Sequence, residues 1–186
     1  MNLNVFTLAS NSNVLILEEV FQKELLNEII ALCYTSEDAV NDWQSPDYSS
    51  KRKIYKGNST VYQEVTDYLS SNQFIEPIEQ VISKSMTFVE MALWADYPGF
   101  GTLLPHAEKS GQGQGQLFIT TKEHPTNGTT IMNNDKQILF TMPYRNNYGW
   151  FMDDCTQIMH SRQFDTPPGY VRYSLIFWHN YNERKT

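Results

Sequence analysis

Residues 170–178 read Tyr-Val-Arg-Tyr-Ser-Leu-Ile-Phe-Trp, and no other run constrains the fold as tightly. In an extended chain alternate side chains take opposite faces. Tyr170, Arg172, Ser174, Ile176 and Trp178 then share one face, and Val171, Tyr173, Leu175 and Phe177 share the other. A strand that is apolar on both faces must be covered on both, so this one belongs inside a layered β structure. Arg172 sits on one of those covered faces and needs an anionic partner, because an unpaired buried charge costs several kcal/mol.

The rest of the second half reads as more strands, over residues 86–96, 115–121, 128–132, 137–142, 148–152 and 156–160. Before them, Val14-Leu15-Ile16-Leu17 is a short apolar strand. Phe21, Leu25, Ile29 and Leu32 then mark one stripe of a packing helix over residues 20–34. Two shorter helices are predicted over 60–69 and 73–83, the second with Pro77 in its first turn, where proline is tolerated. Helices followed by seven or eight strands predict a mainly β, α+β domain over residues 1–186, an antiparallel sandwich or barrel braced by helices. The brace spans about 14–85 and the β core about 86–180.

Composition narrows the class. A net charge of −7 with 14 Lys and Arg against 21 Asp and Glu disfavours duplex nucleic acid as a partner. No run approaches the roughly 18 apolar residues of a membrane helix. Cys33 and Cys155 are far apart with no CxxC spacing, and the first residues lack a signal-peptide layout, which reads as a reduced, cytoplasmic protein. Two stretches leave alternatives open. Lys51-Arg52-Lys53-Ile54-Tyr55-Lys56 is either a solvated edge strand guarded by its cations or a face for an anionic substrate. Residues 109–116, with Ser-Gly-Gln-Gly-Gln-Gly-Gln, are either a hairpin loop or a mobile flap over a site.

The chemistry concentrates after Leu93-Trp94-Ala95-Asp96-Tyr97-Pro98-Gly99. There His106 and Glu108 stand two apart in an extended piece and converge on one point, as metal ligands or as an acid/base pair. His160 follows on a late strand, then Arg172 and Ser174 on the last. Two histidines and a carboxylate on one face of a metal, with positions left open, is the arrangement of non-haem Fe(II) oxygenases.

This ordered set resembles the HxD/E...H...RxS pattern of the Fe(II)/2-oxoglutarate-dependent dioxygenases, in their short prolyl-4-hydroxylase-like branch. The lead-in Tyr97-Pro98-Gly99 and the closing Arg172-Tyr173-Ser174-Leu175-Ile176-Phe177-Trp178 resemble that branch too. The resemblance implies a double-stranded β-helix, or jelly-roll. It implies Fe(II) held by His106, Glu108 and His160, with 2-oxoglutarate as co-substrate and O2 as oxidant. The distal carboxylate of 2-oxoglutarate would lie along the fork of Arg172, with Ser174 donating a hydroxyl and Tyr97 lining the pocket. The substrate would be a prolyl residue in a peptide or a small molecule, hydroxylated as 2-oxoglutarate gives succinate and carbon dioxide. Glu108 departs from the commoner Asp by one methylene. Rival readings are a non-catalytic jelly-roll binding module and a cupin-like metalloenzyme without 2-oxoglutarate. His124 and His179 read as bystanders, Asp153-Asp154 as a solvated turn, and Trp150 as core or barrel rim.

Overall fold

The computed structural model describes residues 1–7, 13–35, 43–44, 46, 50–100, 103–107, 111–153, 156, 158–162 and 166–182. In chain order the elements are β1 (Asn2–Thr7), β2 (Asn13–Glu18), α1 (Lys23–Thr35), β3 (Trp43–Gln44), β4 (Arg52–Tyr55), α2 (Thr60–Ser70), α3 (Asn72–Ile82) and β5 (Met86–Asp96). There follow β6 (Leu103–His106), β7 (Gln112–Ile119), β8 (Thr130–Met132), β9 (Ile138–Thr141), β10 (Tyr148–Met152), β11 (Met159–Arg162) and β12 (Arg172–Tyr181). They form two antiparallel sheets, one ordered β1-β2-β10-β7-β12-β5-β4-β3 and the other β6-β11-β8-β9.

The closing strand β12 lies inside the larger sheet between β7 and β5, as its two apolar faces require. One face of that sheet packs on the helices. Tyr173, Leu175 and Phe177 of β12 meet Leu93, Leu117 and Phe151 of neighbouring strands, with Ile29 of α1, Val65 and Leu69 of α2, and Phe74 and Ile78 of α3. The other face packs on the smaller sheet through Ile16, Phe118, Trp150 and Met152 against Ile131 and Ile158.

The first half does more than brace, since β1, β2, β3 and β4 all join the larger sheet. α2 starts at the Ser59 cap, whose hydroxyl accepts from Tyr62 N at 3.2 Å, and α3 stops at Ser83 in the left-handed conformation. α3 begins at Asn72, which puts Pro77 inside the helix and not in its first turn. Asp153 is no solvated turn. It is buried and accepts from Asn13 N at 2.6 Å and Asn13 Nδ2 at 2.8 Å, clamping the start of β2.

The Gly-Gln stretch is the clearest departure from the loop or flap reading. Residues 112–116 belong to β7, hydrogen-bonded to β10 on one side and β12 on the other. The alternation is a strand pattern of period two. Gly113 and Gly115 face the helices, where a β-carbon would collide with the rings of Phe151 and Phe177 respectively, while Gln114 and Gln116 face the smaller sheet.

Candidate active site

A cavity of about 230 Å³ lies between the sheets. Its floor follows from the register of the larger sheet. Arg172 pairs with Asp96, which also pairs with Arg52, so three strands line these side chains up in one row. The next row holds Ser174, Trp94 and Phe118, the third Trp150, Gln116 and Ile176, and the fourth Gln114. Successive rows are about 7 Å apart. The smaller sheet supplies the roof with His106, His160, Ser161 and Arg162.

The two histidines meet because β6 and β11 pair with His106 opposite His160, and their ring centres are 4.3 Å apart. His160 is 8% exposed and packs at a tilt against Trp150, ring centres 5.3 Å apart, while His106 is exposed. Burial, with His106 adding to it, holds His160 down at about 3, so it is neutral at physiological pH, as a metal-ligating imidazole must be. Among the described residues no group of three His, Cys, Asp or Glu gathers to hold a metal. Glu108, the expected third ligand, lies outside the described residues.

The opposite end of the cavity is a charge cluster. Arg52 forks onto Asp96 through Nε at 2.6 Å and Nη2 at 3.1 Å, and Arg162 Nη1 and Arg172 Nη1 each reach Asp96 Oδ2 at 3.2 Å. All four side chains are buried. Arg172, 2% exposed, spends Nε on the Asn127 carbonyl at 2.9 Å, and its Nη2 donates to no described residue. Burial pulls its guanidinium below the usual value, and Asp96 is the main influence pulling it back. Aromatic faces hold the cations apart: Arg52 sits 4.1 Å over Trp94 and 4.2 Å over Phe100, and Arg172 5.0 Å over Phe118.

Several buried polar atoms have no hydrogen-bond partner among the described residues, namely Ser174 Oγ, Trp94 Nε1 and Gln114 Oε1 on the floor and Ser161 Oγ on the roof. Native interiors satisfy almost all such groups, and exceptions gathered around a cavity are where a ligand completes the bonding. Near Arg172, the guanidinium Nη2, the serine hydroxyl and the indole N–H suit a carboxylate.

The structure thus brings His106, His160 and Arg172 to one cavity, with Ser174 one row beyond Arg172 on the same floor. Tyr97 stands elsewhere: half-buried, it packs against the helix-side core, has Lys53 5.5 Å over its ring, and is not among the residues lining the cavity. Arg52 turns inward from the cationic run instead of guarding an edge, and Trp150 lines the cavity. Arg162, Gln114 and Gln116 also line the cavity. Arg162 follows His160 by two positions and Gln114 and Gln116 alternate with glycines, so a period-two reading carries a signal for each. Arg52 belongs to the cationic run for which a face toward an anionic substrate is one reading, but its row is set by which strand pairs with β5. His124 turns back on Thr126 N at 3.2 Å, and His179 is buried under the helices, its Nε2 3.2 Å from the Leu69 carbonyl oxygen.

Comparison with solved structures shows that this fold, two packed antiparallel sheets enclosing a cavity, is similar to that of several proteins of known structure. A Pseudomonas putida prolyl-4-hydroxylase superposes with a TM-score of 0.67 at 14% identity, covering 94% of this chain and 95% of that one. HygX from Streptomyces hygroscopicus, solved with nickel and 2-oxoglutarate bound, gives 0.66 at 10% identity over 92% and 84%. A Trichoplax adhaerens prolyl hydroxylase in complex with a hypoxia inducible factor peptide fragment gives 0.64 at 12% over 90% and 83%. No protein-family model and no curated protein matches the sequence itself. Among the described residues no helix is long and apolar enough to cross a membrane.

Proposed function

We propose that this chain is an Fe(II)- and 2-oxoglutarate-dependent oxygenase of double-stranded β-helix fold that hydroxylates a C–H bond. The observation that carries the reading is the buried Arg172, whose Nη2 is left without a protein acceptor among the described residues, on the same cavity floor as the partnerless Ser174 Oγ and under the same roof as the His106–His160 pair.

His106 and His160 would hold the iron with Glu108 as third ligand, which suits the two-imidazole, one-carboxylate preference of that ion. The chemistry supplied by the bound iron and co-substrate is oxidative decarboxylation of 2-oxoglutarate to succinate and carbon dioxide, coupled to hydroxylation. The chain's own residues bind and orient. Arg172 receives the distal carboxylate at Nη2 and the free proton of Nη1, not along the Nε edge, because Asn127 already occupies Nε. Ser174 Oγ and Trp94 Nε1 lie one row closer to the histidines and donate along the way. Asp96 keeps the Arg172 fork turned toward the cavity. Trp150 walls the reacting end beside His160.

The test is an anaerobic titration of the Fe(II)-loaded protein with 2-oxoglutarate, watching for the visible charge-transfer band of a chelated keto acid. A saturable band is expected, abolished in His106→Ala and weakened at least 100-fold in affinity by Arg172→Met while iron stays bound. Bound iron with no band would sink the co-substrate assignment, and equal affinity in Arg172→Met would make that arginine structural.

A further inference from the structure

One part of the cavity floor has no task in the scheme above. Beyond Arg172, β7 presents Gln116 in the row where Trp150 meets His160, and Gln114 in the row after it. Both line the cavity, and they are 6% and 3% exposed. The orientation of Gln116 is set by its neighbours. Its Oε1 accepts from Trp150 Nε1 at 3.2 Å and Thr129 Oγ1 at 2.5 Å. An indole N–H can only donate, so the atom facing it must be the oxygen. The Gln116 amino group is what remains, and no described residue accepts from it. The Gln114 carboxamide bonds to no described residue at either end, and its Oε1 is buried, so it offers an acceptor there. A neutral donor and a neutral acceptor thus stand two residues apart on one strand face.

We propose that Gln114 and Gln116 form the substrate-selecting wall of the site, and that the group they take is a secondary amide of a small molecule. Side chains two apart on a strand face start about 7 Å from each other. A trans secondary amide suits that interval, because its N–H and C=O point in opposite directions and a hydrogen bond of about 2.9 Å at each end completes the bridge. Its N–H gives to Gln114 Oε1 and its carbonyl accepts from Gln116 Nε2. A tertiary amide or an ester has no N–H to give and leaves the buried Gln114 oxygen unsatisfied, and a site built around such a bond discriminates strongly against the analogue lacking it. The volume of about 230 Å³ falls below the usual range of roughly 300–1,000 Å³ for ligand pockets, which favours a compact molecule over a polypeptide. That this amide belongs to the molecule being hydroxylated rests on the oxygenase reading, whereas the amide preference itself does not.

The experiment follows the indole N–H of Trp150 and the side-chain amide of Gln116 by ¹⁵N–¹H correlation NMR on the full chain without metal. The probes are N-methylpropanamide, N,N-dimethylpropanamide and methyl propanoate. N-methylpropanamide is expected to shift both signals saturably, with the other two at least tenfold weaker, and Gln114→Met is expected to erase the difference. Equal binding of all three, or a preference that survives in Gln114→Met, overturns the proposal. A capped triglycine that shifts these signals at lower concentration than N-methylpropanamide overturns the small-molecule assignment. Gln114→Met replaces a partnerless buried carboxamide by an apolar side chain of similar size, so its melting temperature should hold or rise; a fall of several degrees would make Gln114 structural and overturn the proposal. Titrating 2-oxoglutarate into the wild-type and Arg172→Met proteins separates the two ideas. An amide preference without 2-oxoglutarate binding sinks the oxygenase reading alone, and the reverse sinks the amide reading alone.

Discussion

The two faces of the larger sheet are both covered and differently made. On the helix face, Phe177 meets Phe74 edge-on at 5.5 Å and stacks on Phe151 at 6.3 Å, and Gly115 lets its ring lie against the neighbouring strand. On the cavity face of the same strands lie Arg172, Ser174, Trp94 and Gln114, with polar atoms that find no partner among the described residues. One face is closed by shape and the other is left open by chemistry. Burial alone therefore does not tell a core from a site; the difference lies in whether the buried atoms are satisfied.

Each face should fail in its own way. The largest effect is expected from Phe177→Ala, which empties a fully buried aromatic position and should cost about 3–5 kcal/mol in urea unfolding. A loss below 1 kcal/mol would mean that the helices do not depend on this face. On the other side Asp96→Asn keeps the shape and removes the charge that Arg52, Arg162 and Arg172 share, and removing one partner from a buried ionic cluster costs about 3–5 kcal/mol. The cavity-face loss should shrink when Arg52→Met is added, since a cation goes with the anion; a loss that grows by the full cost of a second independent defect would contradict electrostatic coupling.

A smaller effect distinguishes the faces by pH. Burial holds His179 on the helix face down at about 4, against the pull of the Leu69 carbonyl and Glu79. Above about pH 6.5 the imidazole is neutral in folded and unfolded chains alike and contributes nothing to the pH dependence. Between about 6.5 and 4 the unfolded chain takes up a proton that the folded one refuses, so stability falls with pH, by about 3 kcal/mol at most. Unfolding measured from pH 7 to 4.5 should show that decline, and His179→Gln should reduce it. An unchanged slope in the variant would assign the acid sensitivity to other groups.

How much of this was legible in sequence depended on whether a signal was local. Residues 170–178 showed a covered strand, and the structure sets it in the middle of the sheet. That His106 and His160 come to one place and that Arg172 demands an anion were also legible, although the anion that answers within the chain is Asp96. What stayed hidden was set by topology or masked by composition. Arg52 enters the cavity because β4 pairs with β5 in the register that puts it beside Asp96, which no local pattern encodes. In the Gly-Gln run the freedom of the glycines suggests a loop, whereas the period of two is that of a strand. Once flanking strands supply hydrogen bonds on both edges and aromatic rings fill the space above the glycines, that freedom is gone.

The same run bears on how the chain reaches its native state. Sliding β7 by two residues would keep each glycine of the repeat toward the helices and each glutamine toward the cavity, so the repeat cannot define its own register. The apolar residues that follow, Leu117, Phe118 and Ile119, must do so, because each is fully buried and would lose its place in a slipped pairing. A molecule trapped one step out of register would have a near-native sheet and a miswired floor, with Gln112 standing where Gln114 belongs. Correct assembly of the site is therefore decided by three apolar side chains at the far end of the strand, of which only Phe118, beneath Arg172, touches it.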